Sequence, residues 1–160
     1  MIPRIETIKD KKLVGKRMRM SYAKYKIVEL WGSFMPKRKE ITNNLTNDLI
    51  SLVVYAPTHF IDFKPTNEFE RWATVEVDNF KNVPVGMETF IISGGLYAVF
   101  NYKGLSSGAE VFFQYIYGEW VPNSNYVLDN RPHFEVLGEK YKNNDPSSEE
   151  EFWIPIKAKQ

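Results

Sequence analysis

The chain has 160 residues, 21 basic and 20 acidic side chains and a formal net charge of +1, which suits one domain with its own core and gives no electrostatic case for binding nucleic acid directly. It has no cysteine and only two histidines, His59 and His133, so disulfides and thiolate metal sites are excluded and two imidazoles alone make no convincing metal centre. Aromatic residues are in excess: 11 Phe, 9 Tyr and 4 Trp make 15% of the chain, more ring surface than a small core needs, and rings line small-molecule pockets.

The opening MIPRIETIKDKKLVG lacks an apolar signal-like core, and no apolar run approaches the length that crosses a bilayer, so the expectation is a cytoplasmic protein without a membrane partner. KLVGKRMRMS then reads as a strand, and SYAKYKIVELWGSFMP, Ser21 to Pro36, reads as an amphipathic helix. Ile27, Leu30, Trp31 and Phe34 recur on its apolar face, Ser21 is a candidate cap, and Trp31 and Tyr25 are read as core. The basic run Met35 to Glu40 follows as a solvated helix end rather than a nucleic-acid patch. LISLVVYA (Leu49 to Ala56) and RWATVEV (Arg71 to Val77) complete a β-α-β-β unit.

The second half repeats this plan. METFIISGGLYAVFNYKG is a strand with a bend expected at Gly94 and Gly95, and SGAEVFFQYIYGEWVP, Ser107 to Pro122, aligns with the first helix without a gap. Ser21, Ala23, Gly32 and Pro36 match Ser107, Ala109, Gly118 and Pro122, and the apolar face recurs as Phe113, Ile116, Tyr117 and Trp120. Ser107 with Glu110 forms a capping-box pattern, and Pro36 and Pro122 are expected to close the helices or to lie just past them. PHFEVLG and EFWIPIKA (Glu151 to Ala158) are the last two strands, separated by a polar hairpin loop. The fold expected is α+β: a duplicated β-α-β-β unit forming a six-stranded, mainly antiparallel sheet with two helices on one face. It is read as a single domain over 1–160, with pseudo-repeats of about 1–80 and 85–160.

One residue stands out in RPHFEVLGE. Alternation puts His133, Glu135 and Leu137 on one face and Phe134 and Val136 on the other, so Glu135 is either an acid on the wet face of an edge strand or an acid buried under a covered sheet.

ISGGLYAVFNYKG, a helix ending GEWVP, PHFEVLG and a last strand EFWIPI, in that order and spacing, resemble the GyrI-like small-molecule-binding domain family. This family includes effector-binding domains of AraC-type and MerR-type transcription regulators and stand-alone proteins. The resemblance covers nearly the whole chain. It implies a ligand cleft between the two halves, walled by aromatic rings, with a glutamate that faces lipophilic cations in drug-sensing members. The matching acid is Glu135; Trp120 and Trp153 match positions that commonly carry pocket aromatics, and Phe34 is their counterpart by the internal repeat. Trp72, Tyr97 and Tyr117 are further candidate ligand contacts. Rings would give dispersion and π faces to a flat cation, and the carboxylate would neutralise its charge.

The function expected is a stand-alone, non-catalytic effector-type domain that binds lipophilic aromatic ligands, cationic ones among them, for sensing or sequestration. No cofactor is expected, and the protein partner, if there is one, is unspecified. Two alternatives accompany it. One is hydrolysis of reactive cyclopropane-type electrophiles by Glu135 with Tyr97 or Tyr117 as proton donor; the other is protein–protein inhibition of the gyrase-inhibitor type.

Overall fold

Runs of β-branched and aromatic residues, buried continuously over three to five positions because both faces are covered, form the strands where the sequence places them. The computed structural model describes residues 2–160. In chain order it contains β1 (Arg4–Ile8), β2 (Lys11–Met20), α1 (Ile27–Phe34), β3 (Leu49–Val54), β4 (Phe69–Val77), β5 (Glu88–Ile92), β6 (Gly95–Lys103), α2 (Ala109–Tyr115), β7 (Tyr126–Leu128), β8 (His133–Leu137) and β9 (Glu149–Ala158).

Every strand pairing is antiparallel, and the sheet runs β1-β6-β9-β8-β3-β4-β2-β5, with β7 added to β9. Nine strands replace the six expected because β1/β2 and β5/β6 are each one long strand broken by a bend, and β7 is a short addition. The second bend falls at Ser93 and Gly94, next to Gly95, as the double glycine foretold. A Cβ on Gly94 would lie 2.6 Å from the Ile8 carbonyl oxygen, and Gly95 has φ +148°, so neither place accepts a side chain without strain. Here β5 pairs with β2 while its continuation β6 pairs with β1, which brings the two ends of the sheet together.

The sheet therefore curls round on itself. Leu13, Leu52, Trp72, Ile92, Tyr97, Val99, Phe134 and Trp153 form one buried cluster drawn from β2, β3, β4, β5, β6, β8 and β9, and no helix contributes to it. Burial without a covering layer requires the strands to wrap the cluster themselves. The outer face carries two further clusters. Leu30 and Phe34 of α1 pack on Val14, Ala73 and Val75; Ile116 and Val121 pack on Ala98, Phe100, Phe152 and Ile154. Both helices thus lie on one face, the first over β2 and β4, the second over β6 and β9. Between them run β3 and β8, paired about the axis that relates the strand order β2-β4-β3 to β6-β9-β8.

The helix limits depart from expectation. Ser21 does not cap α1: its Oγ accepts from the Lys24 N–H at 3.0 Å in a turn, the Ala23 N–H donates to Pro65 O at 2.8 Å, and the helix begins only at Ile27. Those bonds take the backbone away from the helical ladder. Tyr25, read as core, is consequently 46% exposed. Beyond Phe34 the chain continues as a 3-10 turn from Met35 to Glu40 that includes Pro36 and buries nothing, as a solvated helix end should.

In the second half no side chain caps the helix start, so the Ser107–Glu110 box is not made. α2 runs into a π turn, Ile116–Trp120, and a last turn, Val121–Asn123, that contains Pro122. Pro122 has no N–H to offer Gly118 and its ring would crowd that carbonyl, so the ladder widens one turn earlier. Pro36 thus lies just past α1, as expected, and Pro122 lies within the last helical turn, one residue before its end.

Candidate functional site

The floor of the space between the helices is the outer face of β3, β4, β8 and β9. Register places Ser51 opposite both Ala73 and Glu135, Val53 opposite Arg71 and His133, and Phe152 opposite Glu135, so these side chains share that face. Glu135 is accordingly neither on an edge strand nor alone. Its Oε1 accepts from Arg71 Nη2 at 3.1 Å, with the two side chains 19% and 6% exposed. The guanidinium also donates to Ser51 Oγ through Nε at 3.2 Å and Nη2 at 3.0 Å. Burial opposes charge on Arg71, but Glu135 and the hydroxyls of Tyr25, Tyr55 and Tyr22 outweigh it and hold the group above its ordinary range.

A second acid completes the floor. Glu150 lies on the same face of β9 as Phe152, and its carboxyl hydrogen-bonds to Glu135. Burial, and then the charge of Glu135, push Glu150 up to about 8. A carboxyl–carboxyl hydrogen bond needs one proton between the two groups.

The walls are aromatic. Tyr22 and Tyr55 join hydroxyl to hydroxyl at 2.8 Å, and Tyr22 stacks on Tyr25 at 5.7 Å between ring centres. Tyr22 and Tyr25 reach the site because the chain turns after Ser21 instead of starting the helix there, and Tyr55 directly follows the end of β3. On the opposite side the Tyr117 hydroxyl lies 2.8 Å from His133 Nδ1. Burial first, then His59 and Arg131, lower His133 to about 3, so the ring is neutral and shares a single hydrogen bond with the phenol. Burial raises the hydroxyls of Tyr55 and Tyr117 well above the ordinary tyrosine value, which keeps both protonated.

The β3–β4 loop closes the top. Phe60 stacks on His133 at 5.5 Å and lies 4.7 Å from Tyr117 and 5.0 Å from Tyr55. Beside it His59 is 2% exposed, 4.3 Å from the Tyr55 ring, with its Nδ1 buried and unbonded.

Of the residues singled out in the sequence, the structure brings together Glu135 and Tyr117. The others lie elsewhere. Trp72, Tyr97 and Trp153 are inside the curled sheet, on the face opposite Glu135, because Trp153 pairs with Phe134 and each strand reverses sides at every residue. Arginines already occupy their π faces: Arg17 lies 5.9 Å from Trp72, Arg131 4.6 Å from Tyr97 and Arg4 5.7 Å from Trp153. The Tyr97 hydroxyl donates to Pro132 O at 2.8 Å. Phe34 is wholly buried beneath α1. Trp120, the last residue of the π turn, packs edge-on to Phe100 at 5.2 Å and parallel to Tyr126 at 6.3 Å, away from Glu135.

Sequence reasoning missed Arg71, Glu150, Tyr22 and Tyr55. Arg71 left a signal: the outward stripe of β4 is Phe69, Arg71, Ala73, Val75 and Val77, one arginine among apolar residues. Glu150 was hidden in the acidic run that opens β9.

Comparison with known proteins agrees with this architecture. The chain matches the family described as GyrI-like small molecule binding domain over residues 1–157. It belongs to that family. No curated protein matches it. Among solved structures, SAV2435 bound to tetraphenylphosphonium is 15% identical with a TM-score of 0.72, over 98% of this chain and 94% of that one. The EcmrR C-terminal domain is 17% identical with a TM-score of 0.70, over 99% and 100%. A hydrolase from Listeria innocua is 10% identical with a TM-score of 0.60, over 98% and 92%. At these identities the likeness is one of fold.

Proposed function

We propose that the protein binds lipophilic aromatic cations in the cleft between its two helices, over Glu135, and serves to sense or sequester them. The observation that carries this reading is the pair of acids, Glu135 and Glu150, set among the tyrosine rings on the floor of that cleft. A flat organic cation gains dispersion and cation–π contact from the rings and charge compensation from the acids. Phe60, which packs on Tyr117 and His133, is the ring such a ligand would displace. The tetraphenylphosphonium complex of SAV2435, a protein of the same fold, supports this choice of ligand class.

A thermal-shift and calorimetric titration with tetraphenylphosphonium, triphenylphosphine oxide and tetraphenylborate tests it. The cation should bind best, the neutral compound more weakly and the anion least. Tighter binding of the anion than of the cation would rule the reading out.

One observation favours a second reading, hydrolysis of a strained electrophile of the cyclopropane type. A carboxyl pair with a single proton offers a base to draw a proton from water and an acid to protonate the carbon released by ring opening. Incubation with such compounds, followed by mass spectrometry, should then show a water adduct that wild type forms and Glu135→Gln does not.

A further inference from the structure

We propose that Glu150, not Glu135, supplies the negative charge that meets a bound cation, and that a monocation enters the site in exchange for the proton the two acids share. This rests on the reading that the cleft binds lipophilic cations, and names the group and the exchange that make it possible.

The geometry sets the charge balance. Glu135 is 3.1 Å from Arg71, and Arg71 is 6% exposed and tied to Ser51 as well. A guanidinium does not give up its proton, so this positive charge is permanent. A cation approaching Glu135 therefore meets one negative and one positive group at nearly the same place, and the floor offers no net attraction. Additional negative charge has to come from a group that can ionise when the ligand arrives.

Glu150 fits this requirement. It shares the outer face of β9 with Phe152, hydrogen-bonds to Glu135 across the β8–β9 pair, and is held protonated near neutral pH by burial and by the charge of Glu135. The titratable groups that face it are Glu135 on β8, Arg71 on β4, Tyr25 before α1 and Tyr141 in the β8–β9 loop, with Tyr102 opposite it on β6. Tyrosines are neutral in this range, which leaves Arg71 as the cation of that set. Without ligand the trio of Arg71, Glu135 and protonated Glu150 is neutral overall. A monocation disfavours that proton, Glu150 releases it to solvent, and the loaded site is neutral again. A neutral ligand causes no such release. Arg71 thus acts as a specificity-determining residue, since it sets the charge a ligand must carry to displace a proton.

The test is calorimetry of tetraphenylphosphonium binding to the intact protein in buffers of different ionisation enthalpy. Close to one proton should leave per cation at about pH 6.5, and affinity should rise about tenfold per pH unit up to the point where Glu150 ionises unaided. Triphenylphosphine oxide should bind to the same wild-type protein with no proton released. Glu150→Gln, checked for folding by circular dichroism, should bind the cation at least tenfold more weakly at pH 8 and show no proton release. If the variant does not fold, the wild-type proton count decides alone. Cation binding without proton release, or unchanged in Glu150→Gln, would overturn this inference while leaving the binding reading intact. Absence of cation binding at every pH would overturn the binding reading, and this inference with it.

Discussion

At the scale of single residues, the Arg71–Glu135 pair is the feature that organises the site. Removing one partner of a buried ion pair strands the other, so Arg71→Met should lower stability by about 3 kcal/mol, and Arg71→Met with Glu135→Gln should recover much of that loss in a denaturant double-mutant cycle. Glu135→Gln alone should also destabilise, because it leaves Arg71 unpaired. The pH profile of stability follows from two neighbours. Glu150 rises from 4.5 to about 8 on folding, so the folded state holds more protons and stability falls as pH climbs through that window. His133 falls from 6.5 to about 3, so stability falls as pH drops below 6.5. The two slopes oppose between 4.5 and 6.5, giving a plateau there and declines on both sides. Urea titrations from pH 4 to 9 should show this dome, and Glu150→Gln should flatten its alkaline side alone.

At the scale of elements, the 3.6-residue apolar period identified both helices and their buried faces, and strand periodicity placed β2, β3, β4, β8 and β9 within a few residues. What the sequence did not disclose was long-range register. Glu135 and Phe134 must face opposite ways, but only the pairing of Phe134 with Trp153 tells that Trp153 leaves Glu135's side. The turn at Ser21 and the π turn at Ile116–Trp120 were equally hidden. The first depends on a bond to Pro65, far along the chain; the second on how Pro122 disturbs a ladder that otherwise continues. The β3–β4 loop carries its own consequence. Phe60 packs on Tyr117 and His133 over the proposed binding face, so if ligands enter there Phe60→Ala should speed association of tetraphenylphosphonium several-fold in stopped-flow measurements, with little change in global stability because the ring is 38% exposed. An unchanged rate would mean that the loop does not gate entry.

At the scale of the whole molecule, one curled sheet separates two tasks. Its inner face holds Trp72, Tyr97 and Trp153 as packing, and its outer face carries the charged and tyrosine-lined cleft between the helices. Trp153→Ala should therefore cost about 3–5 kcal/mol of stability and leave ligand affinity nearly unchanged, a pattern that chemical denaturation and calorimetry can separate. The central claim is that the outer cleft recognises the positive charge of a small aromatic ligand. Its most direct test is paired calorimetric titration of wild type and Glu135→Gln with tetraphenylphosphonium and triphenylphosphine oxide, since the variant leaves Glu150 alone to offset both Arg71 and a bound cation. The account predicts that the cation loses about 2–5 kcal/mol of binding free energy while the neutral compound loses little; equal losses for the two ligands, or none for either, would contradict it.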